Sequence, residues 1–264
     1  MSTPGARFDE LVRIMARLRA PDGCPWDRAQ TIRSLRPFLL EETYEALEAI
    51  DRGDAAALCE ELGDLLFEVV FLARIAEEEG TFTLEQAVDG VARKLVRRHP
   101  HVFGDAPRLD SPDQVVGRWE ELKAAERGGA AKPKRLLDGV PMTLPALLRA
   151  YEYGNRAAAV GFDWTRAADV LDKIDEEVRE LREAVGNAAP DPARVEEEMG
   201  DLLFAIANLS RKLGVEPEAA LRRANDKFRA RFTEIEARVA ERGARLQDLS
   251  IEELEAEWQA VKNS

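Results

Sequence analysis

Cysteine, histidine and aromatic residues are scarce in this chain of 264 residues, which has 2 cysteines, 2 histidines and 6% Phe, Trp and Tyr together. Cys24 and Cys59 form no Cys-x-x-Cys pair and are expected to be reduced thiols of a cytoplasmic protein. Few aromatics beside abundant Ala, Leu, Glu and Arg favour helices over strands. Apolar runs are short: Leu65–Ala73 is interrupted by Glu68 and falls well below membrane length. Met1–Arg7 lacks the apolar segment of a signal peptide. Cations are in deficit, with a formal net charge of -13 and a sequence pI near 4.9. That balance argues against coating nucleic acid, and an anionic ligand then needs a local basic site or a bridging metal. The expected partners therefore include neither nucleic acid nor a membrane.

Hydrophobic residues make up 45% of the chain and charged ones 34%, enough for a core beneath a heavily charged surface. Apolar periodicity and breakers predict five helices, twice. The first set covers Arg7–Arg19, Leu35–Asp51, Asp54–Glu79, a fourth started by the capping box Thr83-x-x-Gln86 and ending near His99-Pro100, and a fifth started at Ser111-Pro112-x-Gln114. A small, basic, breaker-rich stretch, Gly128–Lys134, reads as a linker. Helices then resume at Leu144–Ala159, Ala167–Val185, Pro192–Leu213, Pro217–Arg242 and Ile251–Lys262, the last capped by Ser250-x-x-Glu253. No segment shows sustained strand alternation. The expected organisation is all-α: an N-terminal domain over 1–127, a linker over 128–140 and a C-terminal domain over 141–264.

The halves repeat an acidic pattern. Glu41-Glu42-x-x-Glu45 precedes Glu61-x-x-Asp64, and Glu176-Glu177-x-x-Glu180 precedes Glu198-x-x-Asp201. Each second element runs into Gly-Asp-Leu-Leu-Phe, at Gly63–Phe67 and Gly200–Phe204. Lys94 and Arg98 match Lys227 and Arg231, and Trp119 matches Trp258, at near-constant offset. Duplication of one domain is the simplest origin.

Residues three apart share a helix face. Gly53 is equidistant in sequence from Glu45 and Glu61, and again from Glu42 and Asp64. Ala189 stands in the same relation to Glu180 and Glu198, and to Glu177 and Asp201. In antiparallel hairpins, four carboxylates therefore meet at two matched heights in each half. Beside Leu65, Leu66, Phe67 and their counterparts, so many acids are costly to bury without a cation. Hard oxygen ligands suit Mg²⁺, with Mn²⁺ as a substitute. Zinc and ferritin-like iron sites need histidine or cysteine ligands that neither quartet has. His99 and His101 are expected to pack or cap a loop. Lys173 and Arg194 lie one turn before Glu177 and Glu198, where the first half has Phe38 and Ala57. Such bases either reach phosphate oxygens or form i,i+4 ion pairs.

With Gly23-Cys24-Pro25-Trp26-Asp27 and Arg98-His99-Pro100-His101-Val102-Phe103, these motifs resemble the MazG family of all-α nucleoside triphosphate pyrophosphohydrolases over essentially the whole chain. The resemblance implies tandem MazG-type domains and antiparallel hairpins forming four-helix-bundle-like units in a homodimer. It implies Mg²⁺-dependent hydrolysis of nucleoside triphosphates, including ATP and deoxynucleotides, to the monophosphate and pyrophosphate. By resemblance Glu177, Glu180, Glu198 and Asp201 are the metal ligands of the main site, and Glu176 orients water or a ligand. Lys173, Arg194, Lys227 and Arg231 meet the triphosphate, with Arg194 replacing the more usual Lys, and Trp258 stacks on the base or packs internally. Glu41, Glu42, Glu45, Glu61, Asp64, Lys94, Arg98 and Trp119 form a second site. The alternatives are a housecleaning enzyme narrowed to aberrant nucleotides and a non-catalytic, metal-stapled bundle.

Overall fold

A computed structural model describes residues 3–109, 111, 114–115, 118, 135–186 and 190–263. The linker at 128–134, Trp119 and most of the fifth predicted helix lie outside these residues, although the amide of Gln114 donates to Ser111 Oγ at 3.4 Å, as its capping pattern predicts. The chain divides into two compact units, Met1–Ala125 and Glu126–Ser264. Among the described residues there is no strand, and no helix is long and apolar enough to cross a membrane.

Unit 1 contains α1 (Pro4–Leu18), α2 (Pro25–Ala29), α3 (Arg36–Arg52), α4 (Ala55–Glu78), α5 (Leu84–Arg98) and α6 (Pro100–Phe103). Its centre is the α3–α4 hairpin, with α1 packed on α4. The hairpin turn is only two residues long. Gly53 takes a left-handed φ of 68°, which lets the chain reverse without a Cβ clash. The amides of Gly53 and Asp54 donate to Ile50 and Ala49 carbonyls, and Asp54 Oδ1 accepts from the amides of Ala56 and Ala57. Both helix ends are thus satisfied within the turn. Met15, Leu35, Val70, Phe71 and Ile75 form the buried core. Over it Arg19 pairs with Glu78 at 2.7 Å and lies 5.5 Å above the Phe71 ring. Gly23 brings the following segment against the end of α1, where a Cβ would stand 2.2 Å from the Leu18 carbonyl oxygen.

The prolines at 25 and 100 open short helices rather than loops, since a first-turn position needs no amide donor. His99 caps α5 through Nδ1, 2.7 Å from the Leu95 carbonyl, and His101 belongs to α6 rather than to a loop.

Unit 2 contains α7 (Ala146–Ala158), α8 (Ala167–Gly186), α9 (Pro192–Lys212), α10 (Pro217–Glu241), a 3₁₀ turn (Leu246–Asp248) and α11 (Ile251–Asn263). Helices α8 and α9 form the counterpart hairpin, and α7 packs along α9. That approach is close because Gly154 has no side chain: a Cβ there would meet Asn208 Oδ1 at 2.5 Å. Arg156 ties the preceding segment to α7 by donating to the Leu136 and Gly139 carbonyls at 2.9 and 2.7 Å. Asp163 joins the α7–α8 connection to the end of α9, pairing with Arg211 and with Lys212 at 2.6 Å.

Hydrogen bonds from Arg211, opposed in part by burial and reinforced by Lys212, hold the Asp163 carboxyl below its ordinary pKa. A depressed carboxyl pKa contributes stability above the unfolded value, and that stability is lost as pH falls through the folded value. We predict that Asp163→Asn costs about 2–4 kcal/mol at pH 7, measured by urea denaturation, and that the deficit shrinks progressively below about pH 4. An equal deficit at pH 7 and at the acid end contradicts this.

Candidate active site

The acids occupy facing helices of each hairpin. In unit 1, one carboxylate oxygen from each of Glu42, Glu45 and Glu61 lies within 4.8 Å of the others; in unit 2 the same holds for Glu177, Glu180 and Glu198. Asp64 and Asp201 lie on the same helices, exposed and outside these three-acid groups. Asp64 still acts electrostatically on Glu42 and Glu61.

Crowded carboxylates perturb one another. Burial, then Asp64, Glu45, Glu61 and Glu41, pushes the Glu42 pKa up. Burial followed by Glu45, Glu60 and Asp64 raises Glu61. Burial and then Glu42 raise Glu68, a buried residue with one enclosed, unpartnered oxygen, Oε2. Sequence reading noted Glu68 only as an interruption of an apolar run. Its spacing is the missed signal, for it lies one turn beyond Asp64 and two beyond Glu61.

Unit 2 is arranged differently. Lys173 Nζ stands 2.7 Å from Glu177 and 3.2 Å from Glu176, and hydrogen bonds to Glu177 and then Glu176 raise the lysine pKa. Arg194 approaches Glu198 at 3.5 Å. The i,i+4 ion pairs expected as one alternative are therefore present. Glu177 is only 4% exposed, and its Oε2 has no hydrogen-bond partner. A buried carboxylate with an unpartnered oxygen, grouped with two further carboxylates, has the donor chemistry a hard divalent cation requires. Glu177, Glu180 and Glu198 therefore fit such an ion.

The remaining predicted residues are carried by helices other than those of the acidic hairpins. Lys227 and Arg231 are on α10, and Trp258 is on α11. Arg231 stands 5.7 Å over the Trp258 ring, and the Phe228 ring packs against that same ring with centroids 5.3 Å apart. Lys227 is exposed and has no ion pair among the described residues. In unit 1, Lys94 is exposed and Arg98 half-buried on α5, and Trp119 lies outside the described residues.

Raised carboxyl pKa values have a definite consequence for stability. Such groups stabilise the fold below their unfolded pKa, and the contribution is lost as pH rises through the folded value. With EDTA present, we predict that the melting temperature of unit 1 declines as pH rises from about 4.5, and that Mg²⁺ restores it. Glu42→Gln together with Glu61→Gln flattens both responses. A chelated protein with no such decline, or no Mg²⁺ recovery, contradicts the electrostatic reading.

Comparison with known proteins adds an independent finding. Residues 30–103 and 167–235 match the MazG nucleotide pyrophosphohydrolase domain, once over each acidic hairpin. Over 257 residues the chain is 49% identical to a nucleoside triphosphate pyrophosphohydrolase of Escherichia coli, covering 97% of each. Over 262 residues it is 47% identical to the nucleoside triphosphate pyrophosphohydrolase/pyrophosphatase MazG of Thermotoga maritima, covering 99% of this chain and 98% of that one. A nucleoside triphosphate pyrophosphohydrolase of Mycolicibacterium smegmatis is 41% identical over 160 residues, 60% of this chain and 48% of its own. Two domain matches on facing-acid hairpins, with near full-length likeness to such relatives, place this chain in the MazG nucleotide pyrophosphohydrolase family.

Proposed function

We propose that this protein hydrolyses ribo- and deoxynucleoside triphosphates to the monophosphate and pyrophosphate with Mg²⁺, chiefly in unit 2. The carrying observation is the grouping of Glu177, Glu180 and Glu198, in which Glu177 is buried with one unpartnered oxygen and Lys173 pairs with the other. The names of the near full-length relatives support the same activity.

Glu177, Glu180 and Glu198, with Asp201 one turn along α9, would hold the ion. Bound there, a divalent cation neutralises phosphate charge and makes phosphorus more electrophilic. The protein's own groups do the rest. Glu176, on the adjoining helical position, accepts a proton from the attacking water and orients it toward the α-phosphorus, with pyrophosphate leaving. Lys173 is held charged between two carboxylates. With Glu177 and Glu198 engaged in holding the ion, Lys173 and Arg194, which pair with them here, would be placed to donate to phosphate oxygens. Arg231 and Trp258 form one stacked unit, suited to a phosphate and a base, and Lys227 adds charge one turn earlier. Unit 1 keeps the acids but has Phe38 and Ala57 in place of Lys173 and Arg194, so it meets a triphosphate with fewer donors.

We also propose a homodimer. Helix α5 has no buried residue, although Val88, Val91 and Leu95 follow one face. Leu203, Phe204 and Ile206 on α9 are likewise exposed beside the unit-2 acids. A second copy laid on such faces completes four-helix bundles. Free Cys24 and Cys59 fit the reducing cytoplasm proposed for it.

Product analysis with ATP and dGTP plus Mg²⁺ tests the reaction. Wild type is predicted to release pyrophosphate, Glu198→Gln to lose about 10²-fold in turnover, and Glu61→Gln to lose much less. Orthophosphate as the first product overturns the cleavage assignment, and equal losses in the two variants overturn the assignment to unit 2.

A further inference from the structure

One turn outside their acids, the two hairpins carry opposite charge. In unit 2, Lys173 on α8 and Ala205 on α9 are equidistant in sequence from Ala189. The equivalent level of unit 1 pairs Phe38 on α3 with Glu68 on α4, equidistant from Gly53. A lysine facing an alanine is thus exchanged for a phenylalanine facing a glutamate. Phe38 packs on the unit-1 core and meets the Trp26 ring edge-on at 5.7 Å. Ala57 likewise offers no charge where Arg194 pairs with Glu198.

Glu68 is 6% exposed, and its Oε2 is enclosed without a partner. No Lys or Arg pairs with it among the described residues, and the charged group acting on it is Glu42. Helical spacing puts it on the face of Glu61 and Asp64. Glu68 lies outside the group formed by Glu42, Glu45 and Glu61, but a buried carboxylate with an unpartnered oxygen beside the charge of Glu42, with no cationic partner among the described residues, is costly unless a cation completes its surroundings.

We propose that Glu68 is a fifth carboxylate ligand of the unit-1 site, and that this site holds a divalent cation without any nucleotide. In unit 2, Lys173 and Arg194 already neutralise part of the acid charge, so its cation affinity depends on the phosphates arriving with it. Unit 1 then serves as a standing cation site, and unit 2 as one loaded together with substrate. The inference rests on the reading of the facing acids as divalent-cation ligands.

Mn²⁺ titration of the full-length protein without nucleotide, followed by the electron paramagnetic resonance of free Mn²⁺, tests it. Wild type is expected to show a tight and a weak class of site. Glu68→Gln and Glu68→Met should each weaken the tight class at least about tenfold, whereas Glu198→Gln should weaken the weak class alone. Removing a buried acid should leave the EDTA-treated variants melting at or above the wild-type temperature, which separates ligand loss from misfolding. A tight class unchanged in both Glu68 variants overturns the inference, as does a tight class lost in Glu198→Gln. If Mn²⁺ affinity is unchanged by Glu68→Gln while Glu198→Gln abolishes pyrophosphate release, the hydrolase reading stands and this inference falls. Absence of Mn²⁺ binding in every form without nucleotide overturns this inference, and the hydrolase reading falls with it only if pyrophosphate release in the presence of Mg²⁺ is absent as well.

Discussion

Repulsion among carboxylates held on facing helices is the constraint around which each unit is built. Three glutamate oxygens lie within 4.8 Å of one another in each hairpin. In unit 1 burial and neighbouring like charges raise the Glu42 and Glu61 carboxyls, whereas in unit 2 Lys173 and Arg194 pair with the acids. The fold tolerates this because each hairpin is anchored elsewhere. Phe71, Met15 and Leu35 are fully buried in unit 1, and the Gly154 crossing and the Asp163–Arg211–Lys212 network lock α7 and α9 in unit 2. The scaffold thereby holds an arrangement that favours a cation in the groove between helices.

The same scaffold is tuned to different electrostatics in its two copies. In unit 2, Lys173 and Arg194 sit one turn from Glu177 and Glu198 and act as resident counter-ions. Under the proposed function such a counter-ion is exchangeable, since the ammonium that pairs with Glu177 is also a donor suited to phosphate. Unit 1 has no base at either position and has Glu68 buried at the end of its row of acids. Duplication thus preserved the geometry of the hairpin while charge diverged at the level just beyond it. Affinity for a cation and affinity for a cation-bound polyphosphate need not follow one another under such divergence.

Helix extents were legible because their signals are local. Gly53 and Asp54 mark the turn that makes the unit-1 acids level, and the Thr83–Gln86 capping box opens α5 as its pattern predicts. Facing acids followed from counting outward from that turn. Other features depend on tertiary packing and were less visible. Glu68 reads as a charge interrupting an apolar run until the hairpin shows that this side is enclosed. Asp64 and Asp201 satisfy the spacing yet are exposed and lie off the three-acid centre, although the equally spaced Glu42–Glu45 and Glu177–Glu180 pairs both reach it. Pro100 reads as the end of a helix although it sits at the start of α6. The Asp163 network joins residues 48 and 49 positions apart, beyond any local pattern.

The most direct measurement is anomalous X-ray scattering from crystals of the protein grown with Mn²⁺. Strong anomalous peaks are predicted between the facing helices, bounded by Glu177, Glu180 and Glu198 in one unit and by Glu42, Glu45 and Glu61 in the other. Maps with no peak at either cluster, or with Mn²⁺ bound only elsewhere, would contradict the account.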